Sequence, residues 1–521
     1  MNIELLNKNE AIEAQRRSAE LSQRYKGFPE GLTFNEFQTL SPELKKLIIL
    51  RNPILHTDSY NRTMEHVEGE DWKKEATYAL QFRKAEKGYI IVAGTHDLFR
   101  KIADIEITRD QVDFARDYFE QVAGINYFNA EKWNYIIEEH GGKLPLKIDS
   151  LKEGSAVLPG DPILRVSGPN EIVAHFEPYF HHIFYQSLVA TNAHEIARRI
   201  GPDRFIEVGL RGVETEEKHL MALKAMYIGG GLRYTSSDLA AAYYPQFKLV
   251  GTMGHRYVQS YESEEAAFRK AIESLDSVSL LVDLNNSMNG IDLAIALKKE
   301  YRETGKGIWI RLDSGNVLEQ LIYALKRQNE EGLSDPTRDK VVVEGIETIQ
   351  DMVEIDRAIE SLGIDAKSFV IYGAGGLLVS EDTQRCDAST GFKLAKIGDK
   401  PTMKFSDSKD KASIPGMPTI ILRKGIREIA QLGELGNGRS LYFPMYRDGA
   451  LLSVDNIEGA RINAQQTFDL IKHKVQEGQT TELSYQTKLL IADIRRKAFE
   501  RGSSSGNGKV GMEEEKYIFL G

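Results

Sequence analysis

The chain has 521 residues, more than one hydrophobic core usually serves, so we predict two or more domains. Its 67 basic and 77 acidic residues give a net charge of -10, which argues against binding nucleic acid or an anionic membrane through bulk charge. Cys386 is the single cysteine, which excludes an intrachain disulfide framework and a cysteine-rich metal site. No secretory signal or long apolar run is visible, so we expect a soluble, cytoplasmic protein.

The first part of the chain predicts an α/β domain over residues 1–170. Residues 1–50 have the pattern of amphipathic helix and turn. The run QFRKAEKGYIIVAG (81–94) ends in an apolar, strand-like stretch that Gly94 closes. The segment LKEGSAVLPGDPILRVSGP (151–169) contains short strands separated by glycine and proline, as in a small β-rich unit.

In residues 171–390, short apolar runs alternate with amphipathic helical stretches. Buried parallel strands have such continuous apolar runs, and their alternation with helices is typical of βαβ units. About seven strands favour a closed or nearly closed β/α barrel, with an open parallel sheet as the alternative. The runs are FIEVGLRG (205–212), AMYIGGG (225–231), FKLVGTMG (247–254), VSLLVDLNN (278–286), IWIRLDSG (308–315), KVVVEGIE (340–347) and FVIYGAGG (369–376).

The last segment, residues 391–521, no longer follows the barrel pattern. Two stretches, KLAKIGDKPTMKFS (393–406) and TIILRKG (419–425), are strand candidates, and a helical part follows them. The sequence GSSSGNG (502–508) has the composition of a flexible linker.

Almost every predicted barrel strand ends in glycine or in polar residues. The active site of a β/α barrel lies at the C-terminal ends of its strands, so clusters that are scattered along the chain would meet there. An ordinary loop explains any single cluster better, but the whole set favours a functional site. The clusters are Arg211, 229–237, His255, 283–286, 311–316 and 373–376.

Glycine-rich pieces at 229–231 and 373–376 each follow an apolar run and precede a helical pattern. Backbone N–H groups at a helix start can bind phosphate, and glycine permits close approach, so both pieces are candidate phosphate loops. Glycine also makes ordinary turns, which is the structural alternative for each piece.

Charged residues at three strand ends are the sharpest candidates. Arg311 and Asp313 combine an anion clamp with a carboxylate at a tight turn, and Asp283 stands similarly on the preceding strand. Such carboxylates hold sugar hydroxyls or, through water, Mg²⁺ on a diphosphate, although a structural Arg–Asp pair is the alternative. His255 is suited to acid–base chemistry, phosphate binding or nucleophilic attack on phosphorus. No compact metal signature is present, so we predict no structural metal.

The order of these motifs resembles the nicotinate phosphoribosyltransferase family and, more distantly, nicotinamide phosphoribosyltransferases. Such type II phosphoribosyltransferases have an irregular β/α barrel beside an α/β domain, and the resemblance implies a flanking domain built from N-terminal and C-terminal segments. The motifs are TDSYNRTM (57–64), FRKAEKGYIIVAG (82–94), LPGDPILRVSGP (158–169), EVGLRG (207–212), YTSSDLAAA (234–242), VGTMGHRYVQSYESEEAAF (250–268), LLVDLNN (280–286), RLDSGN (311–316), YGAGGLL (372–378) and GFKLAKIGDKPTMKFSDSKDKASIPG (391–416).

The resemblance implies a reaction and a set of residue roles. Family members join nicotinate to phosphoribosyl diphosphate in NAD biosynthesis and salvage, with Mg²⁺ on the departing diphosphate and ATP as co-substrate. The implied assembly is a homodimer with shared active sites, with no nucleic acid or membrane as partner. The implied roles are pyridine stacking by Tyr60 across the dimer interface, base binding by Arg211 and Ser237, phosphate binding by Arg311, ribose and metal binding by Asp283 and Asp313, substrate binding by Gly345, 5′-phosphate binding by Gly375 and Gly376, and transient phosphorylation of His255 by ATP.

Departures from the family pattern leave the base open. Amide-specific relatives carry an aspartate where we align Ser237, which favours nicotinate here, but Asp238 is adjacent and a shift of one residue would favour nicotinamide. Val208 and Gly212 replace an aromatic residue and a second arginine, and Glu344-Gly345 replaces a common serine after the sixth strand. The alternatives are therefore a phosphoribosyltransferase for nicotinamide or another aromatic base, and a catalytically inactive protein that binds phosphoribosyl ligands.

Overall fold

The computed structural model of the chain describes residues 28–251, 253–405, 412–453 and 456–504. Two sheets of seven strands dominate these residues, together with a four-stranded and a two-stranded sheet. In chain order the strands are β1 (Glu75–Phe82), β2 (Ile90–Ile91), β3 (Lys147–Ser150), β4 (Ala156–Val157), β5 (Pro162–Pro169), β6 (Phe205–Glu207), β7 (Tyr234–Thr235), β8 (Lys248–Leu249), β9 (Ser277–Leu281), β10 (Gly307–Leu312), β11 (Val341–Val343), β12 (Val370–Ala374), β13 (Thr390–Ile397), β14 (Lys400–Pro401), β15 (Pro418–Arg423), β16 (Ile426–Gln431), β17 (Arg439–Ser440), β18 (Phe443–Arg447), β19 (Ala450–Leu451) and β20 (Glu482–Leu483).

Helices surround both large sheets, and none in the described ranges has the length and apolar composition that crossing a membrane requires. They are α1 (Phe34–Gln38), α2 (Pro42–Ile49), α3 (Ser59–Glu68), α4 (Thr95–Asp104), α5 (Arg109–Gln121), α6 (Ala130–His140), α7 (Asn170–His175), α8 (Glu177–His181), α9 (Phe184–Arg199), α10 (Glu216–Gly230), α11 (Asp238–Tyr243), α12 (His255–Gln259), α13 (Glu264–Ser274), α14 (Ser287–Glu300), α15 (Val317–Glu330), α16 (Ile349–Ser361), α17 (Ala366–Phe369), α18 (Gly376–Val379), α19 (Arg385–Ala388), α20 (Ile457–Gln476) and α21 (Tyr485–Ser504), with short 3-10 turns at Pro53–Leu55, Gly69–Lys73, Pro202–Arg204, Leu210–Gly212, Arg302–Thr304 and Leu432–Glu434.

The first large sheet is antiparallel and joins the two ends of the chain. Its order is β14-β13-β1-β5-β3-β18-β19, so β1 pairs with β5 on one side and with β13 from the C-terminal segment on the other. Every residue of β5 is buried, and the Arg165 guanidinium in it is paired with the Asp149 carboxylate of β3 at 2.8 Å. This arrangement confirms the flanking α/β domain with strands from both chain ends.

The second large sheet is parallel and confirms the predicted seven-stranded β/α barrel. Its order is β8-β7-β6-β12-β11-β10-β9, and every neighbouring pair runs parallel. The first and last strands of the barrel segment, β6 and β12, therefore pair with each other, whereas β8 and β9 form the two edges of the sheet. The helix α13 buries an apolar stripe of Ala267, Phe268, Ala271 and Ile272. The domain limits at 170 and 390 stay predictions, with β5 ending at Pro169 and β13 beginning at Thr390.

The run AMYIGGG is not a barrel strand, and its glycines are not a phosphate loop at a helix start. Residues 225–230 are the end of α10, and Gly231 is the left-handed C-cap of that helix. A methyl group on Gly229 or Gly230 would overlap the backbone of α9 at Ala190 or Ala193, so these glycines allow two helices to pack closely. A helix C-terminus carries partial negative charge and repels phosphate, so both the strand and the phosphate-loop predictions were wrong here.

The strand that the sequence missed is β7, which contains only two residues, Tyr234–Thr235. It lies between β6 and β8 and keeps the number of barrel strands at seven within the described residues. The predicted linker at 502–508 lies outside the described residues except for its first positions, which end α21.

Candidate active site at the barrel mouth

The loops that follow the C-terminal ends of β6–β12 meet at one end of the barrel, which we call the barrel mouth. The sharpest evidence comes from the two edge strands, because β8 and β9 stand at opposite ends of the sheet. His255, after β8, nevertheless has its Nε2 only 3.2 Å from Oδ1 of Asp283, which follows β9. The sheet is therefore curled far enough for loops from its two edges to share one site.

His255, Asp283 and Asp313 form a triad of ionisable side chains at the mouth. The Nδ1 of His255 lies 3.9 Å from Oδ2 of Asp313, so the imidazole stands between two carboxylates. The Asp283 side chain is almost fully buried and also accepts a hydrogen bond from the Ser314 hydroxyl, whereas the His255 ring is 41% exposed. A buried acceptor beneath a half-exposed ring is an arrangement that orients the imidazole and leaves its other face open to a ligand.

The same triad is a candidate cation site. One ligand atom from each of the three residues lies within 4.8 Å of the others. Magnesium prefers carboxylate, phosphate and water oxygens in octahedral geometry, so the two carboxylates fit Mg²⁺ better than the imidazole does. The two carboxylates of Asp283 and Asp313 therefore fit a magnesium ion, which they would hold.

Arg311 lies beneath the triad, and its guanidinium is almost buried. It donates through Nη1 to the Met253 carbonyl at 2.8 Å and through Nη2 to the carboxylates of Glu344 at 2.8 Å and Asp313 at 3.4 Å. Burial raises the pKa of the Glu344 carboxyl; Arg311 opposes that rise and Asp313 adds to it. The predicted anion clamp is thus already engaged by carboxylates of this chain. Glu344 was noted in the sequence only as a departure from the family pattern, and its contact with Arg311 could not be seen from there.

Glycines at the mouth allow its loops to pack against each other. Gly345 has a φ of +70°, and a Cβ there would lie 2.7 Å from the carbonyl oxygen of Asp313. A Cβ on Gly375 would lie 2.9 Å from the Val208 carbonyl, so the loops after β12 and β6 also touch. Gly375 and Gly376 lead from β12 into the four-residue helix α18, as the sequence predicted.

Of the two residues that we predicted to bind the base, Arg211 lies in the loop after β6 and Ser237 follows β7. Glu207, at the end of β6, is fully buried and accepts hydrogen bonds from the Gly209 backbone N–H, from Thr235 Oγ1 at 2.6 Å and from His219 Nε2 at 3.1 Å. This network fixes the loop that exposes Arg211 to solvent.

Ser237 and Asp238 differ in their environments. Ser237 is buried, and its hydroxyl caps α11 by accepting from the Ala240 backbone N–H at 3.3 Å. Asp238 begins the same helix and is exposed.

Among the described contacts, Tyr60 touches none of the residues at the barrel mouth of its own chain. It lies on α3 of the flanking domain, half exposed, and donates a hydrogen bond to the Glu177 carboxylate at 2.8 Å. Burial and this carboxylate raise the pKa of the Tyr60 phenol. The structure therefore brings together His255, Asp283, Arg311, Asp313, Gly345 and Gly375, and leaves Tyr60 in another place.

A cationic cluster (Arg83, Arg385 and Lys393) lies on the flanking domain near Tyr60, and no motif in the sequence indicates it. Lys393 lies 3.7 Å from Glu177, the partner of Tyr60. Arg83 has a buried Nε and Nη2 without a hydrogen-bond partner, and burial and Arg385 both lower its pKa. Burial lowers the pKa of Lys393 too, with Glu177 acting in the opposite direction. A cluster of cationic side chains with an unsatisfied guanidinium at Arg83 is suited to binding a phosphate or diphosphate.

Comparisons with known proteins agree with the fold and with the class of enzyme. The family model described as nicotinamide phosphoribosyltransferase, N-terminal domain, matches residues 52–148. The nicotinate phosphoribosyltransferase of Bacillus subtilis is 27% identical over 70% of this chain and 71% of its own length. One from Mycobacterium tuberculosis is 25% identical over 83% of this chain and 90% of its own length. The crystal structure of human nicotinic acid phosphoribosyltransferase has a TM-score of 0.65 at 19% identity, covering 84% of this chain and 99% of that one.

The barrel, its flanking domain and these relatives define an enzyme of the phosphoribosyltransferase class. The curated relatives come from bacteria, plants and animals, and each is named a nicotinate phosphoribosyltransferase. Over most of its length the chain is similar to nicotinate phosphoribosyltransferases.

Proposed function

We propose that this enzyme joins nicotinate to phosphoribosyl diphosphate, giving nicotinate mononucleotide and diphosphate, in cytoplasmic NAD biosynthesis. The observation that carries the proposal is the meeting of His255, Asp283, Asp313 and Arg311 at the barrel mouth. The curated relatives that bear the name nicotinate phosphoribosyltransferase support the choice of base.

The reaction breaks the bond between the ribose anomeric carbon and diphosphate and forms a bond to the pyridine nitrogen. Positive charge develops on the ribose ring as diphosphate leaves, so catalysis depends on position and on charge. Asp313 and Asp283 stabilise that charge and hold ribose hydroxyls, and the backbone at Gly345, Gly375 and Gly376 binds substrate phosphate and ribose. Asp283 and Asp313 would hold Mg²⁺, which would supply positive charge to the departing diphosphate. Arg211 and Ser237 contact the base.

ATP enters through His255. Asp283 accepts from Nε2, which favours the tautomer that leaves the lone pair on Nδ1. Attack of this nitrogen on the γ-phosphorus of ATP breaks the bond to the oxygen that bridges the β- and γ-phosphorus atoms, so ADP leaves and a phosphohistidine forms. Water later hydrolyses the phosphohistidine to phosphate, which couples ATP hydrolysis to synthesis of the mononucleotide.

The proposed assembly is a homodimer with shared active sites. Tyr60 and the cationic cluster lie together on the flanking domain, apart from the contacts of the mouth. In a two-fold dimer each flanking domain can face the mouth of the other protomer, where Tyr60 stacks on the pyridine ring and the cations bind diphosphate.

The decisive assay measures product from phosphoribosyl diphosphate and Mg²⁺ with nicotinate or nicotinamide, each with and without ATP. Nicotinate mononucleotide, formed faster with ATP, supports the proposal. Product from nicotinamide alone would indicate that Asp238, and not Ser237, recognises the base. If neither base yields product while phosphoribosyl diphosphate binds, the chain is an inactive binding protein or uses another aromatic base.

Replacing His255 with alanine should abolish the coupling of ATP hydrolysis to synthesis and leave slow, ATP-independent product formation. The measurement compares product with ADP released, and it follows acid-labile phosphate transferred from γ-labelled ATP to the protein. His473→Ala is the control, because His473 is exposed on α20, outside the barrel mouth. Labelling that persists in His255→Ala would remove the phosphohistidine from the mechanism.

A heterodimer should show whether active sites are shared. One protomer carries Asp313→Asn, and the other, with a different tag, carries Tyr60→Ala and Lys393→Ala. If each site combines the mouth of one protomer with the flanking domain of the other, one of the two sites contains all three substitutions and the second contains none. The purified heterodimer should then have about half the wild-type rate. A heterodimer as inactive as either parent homodimer would place each site within one protomer.

A further inference from the structure

We propose that Glu344 is a positioning and specificity-determining residue, which occupies the anion-binding side of Arg311 so that a carboxylate or phosphate of a ligand must displace it. This role of Glu344 rests on the proposed function only in the measurement of KM and kcat, and the binding measurements do not require turnover. It starts from the 2.8 Å contact between Glu344 Oε2 and Arg311 Nη2.

Glu344 is held in place from two sides. It follows β11, and its carboxylate reaches the guanidinium of Arg311 on the neighbouring strand β10. On the other side, a Cβ at Gly373 of β12 would lie 2.7 Å from Cγ of Glu344 and about as close to its carboxyl group. The absence of a side chain at Gly373 therefore makes the space that Glu344 fills.

Glu344 and an anionic ligand would compete for the guanidinium of Arg311. Both Asp313 and Glu344 contact the same Nη2, and Nη1 is directed to the Met253 carbonyl. A carboxylate or phosphate that binds a guanidinium in the favoured bidentate geometry uses two neighbouring N–H groups, and Glu344 already holds Nη2 at 2.8 Å. An anionic ligand that binds Arg311 must therefore replace Glu344 and also overcome the repulsion of its negative charge.

The test uses inorganic diphosphate and nicotinate as separate probes, each with Mg²⁺ present. Glu344→Gln keeps the shape and a hydrogen-bond acceptor for Arg311 but removes the charge. We expect it to tighten the Kd of the anion that binds Arg311 by on the order of tenfold, with nicotinamide binding unchanged. The probe that gains affinity identifies the source of the anion, phosphate or carboxylate.

The variant Gly373→Ala tests the position of Glu344 separately from its charge. The added methyl group displaces the Glu344 side chain and leaves its carboxyl group ionisable. It should also change the Kd of that same probe, whereas Glu347→Gln should not. Glu347 is the matched control, since it is exposed in the same loop and lies outside the ion pairs of Arg311. In turnover, Glu344→Gln should lower KM for the anionic substrate with kcat changing less.

Equal or weaker binding of both anions to a folded Glu344→Gln protein would overturn the inference, as would the same gain in Glu347→Gln. The direct binding of diphosphate does not require turnover. A chain that lacks activity with nicotinate but shows the gain with diphosphate would therefore fail the proposed function and keep this inference.

Discussion

Replacing Asp313 with asparagine should lower kcat by about 100- to 1,000-fold with little change in stability. Asparagine keeps the size of the side chain and removes the charge that we propose to stabilise the ribose cation and hold Mg²⁺. The side chain is partly exposed, between His255 Nδ1 at 3.9 Å and Arg311 Nη2 at 3.4 Å, so the fold depends little on it. Initial rates at saturating nicotinate and phosphoribosyl diphosphate measure the effect.

Asp276→Asn is the matched control for that measurement. Asp276 is exposed immediately before β9, at the opposite end of the barrel from Asp283, which follows the same strand. It removes the same unit of charge away from the mouth and should leave kcat unchanged. A kcat for Asp313→Asn within about threefold of wild type would remove Asp313 from the reacting centre, because that ratio is under 1 kcal/mol.

The barrel could be predicted from sequence where buried strands are long enough to give continuous apolar runs. The runs at β9, β10 and β12 were found for that reason. The same rule failed at 225–231, because a helix packed closely on another helix is also apolar, and period alone does not separate the two in a short window. It missed β7 because two residues carry no period.

The site was predictable only to the level of strand ends. The rule that barrel strands present functional residues at their C-terminal ends was enough to select His255, Asp283 and Asp313. It could not give the pairing of Glu344 with Arg311, which lies 33 residues earlier in the chain. Nor could it find the cationic cluster, because Arg83 and Arg385 are brought together by the pairing of β1 with β13.

Stability should depend strongly on the other end of the barrel, at the seam where β6 meets β12. Arg204, just before β6, forms two hydrogen bonds of 2.7 Å to the Asp356 carboxylate of α16 and donates through Nε to the Val370 carbonyl of β12. The Tyr372 hydroxyl donates to the same carboxylate at 2.6 Å. One buried ion pair thus connects strands from opposite ends of the barrel segment.

Asp356→Ala should lower the free energy of unfolding by about 3–5 kcal/mol, because it leaves the buried Arg204 guanidinium without its carboxylate partner and removes the shorter of two hydrogen bonds from the Tyr372 hydroxyl. Chemical denaturation monitored by tryptophan fluorescence measures the loss. The double variant Arg204→Met with Asp356→Leu should lose much less, because it removes both charges and refills the space with apolar atoms. A loss under about 1 kcal/mol in Asp356→Ala would show that the seam is held by strand pairing and packing alone. The geometry of the barrel mouth would then not depend on the Arg204–Asp356 ion pair at the opposite end of the barrel. Variants of this ion pair would change stability and variants of the mouth would change activity, each without affecting the other.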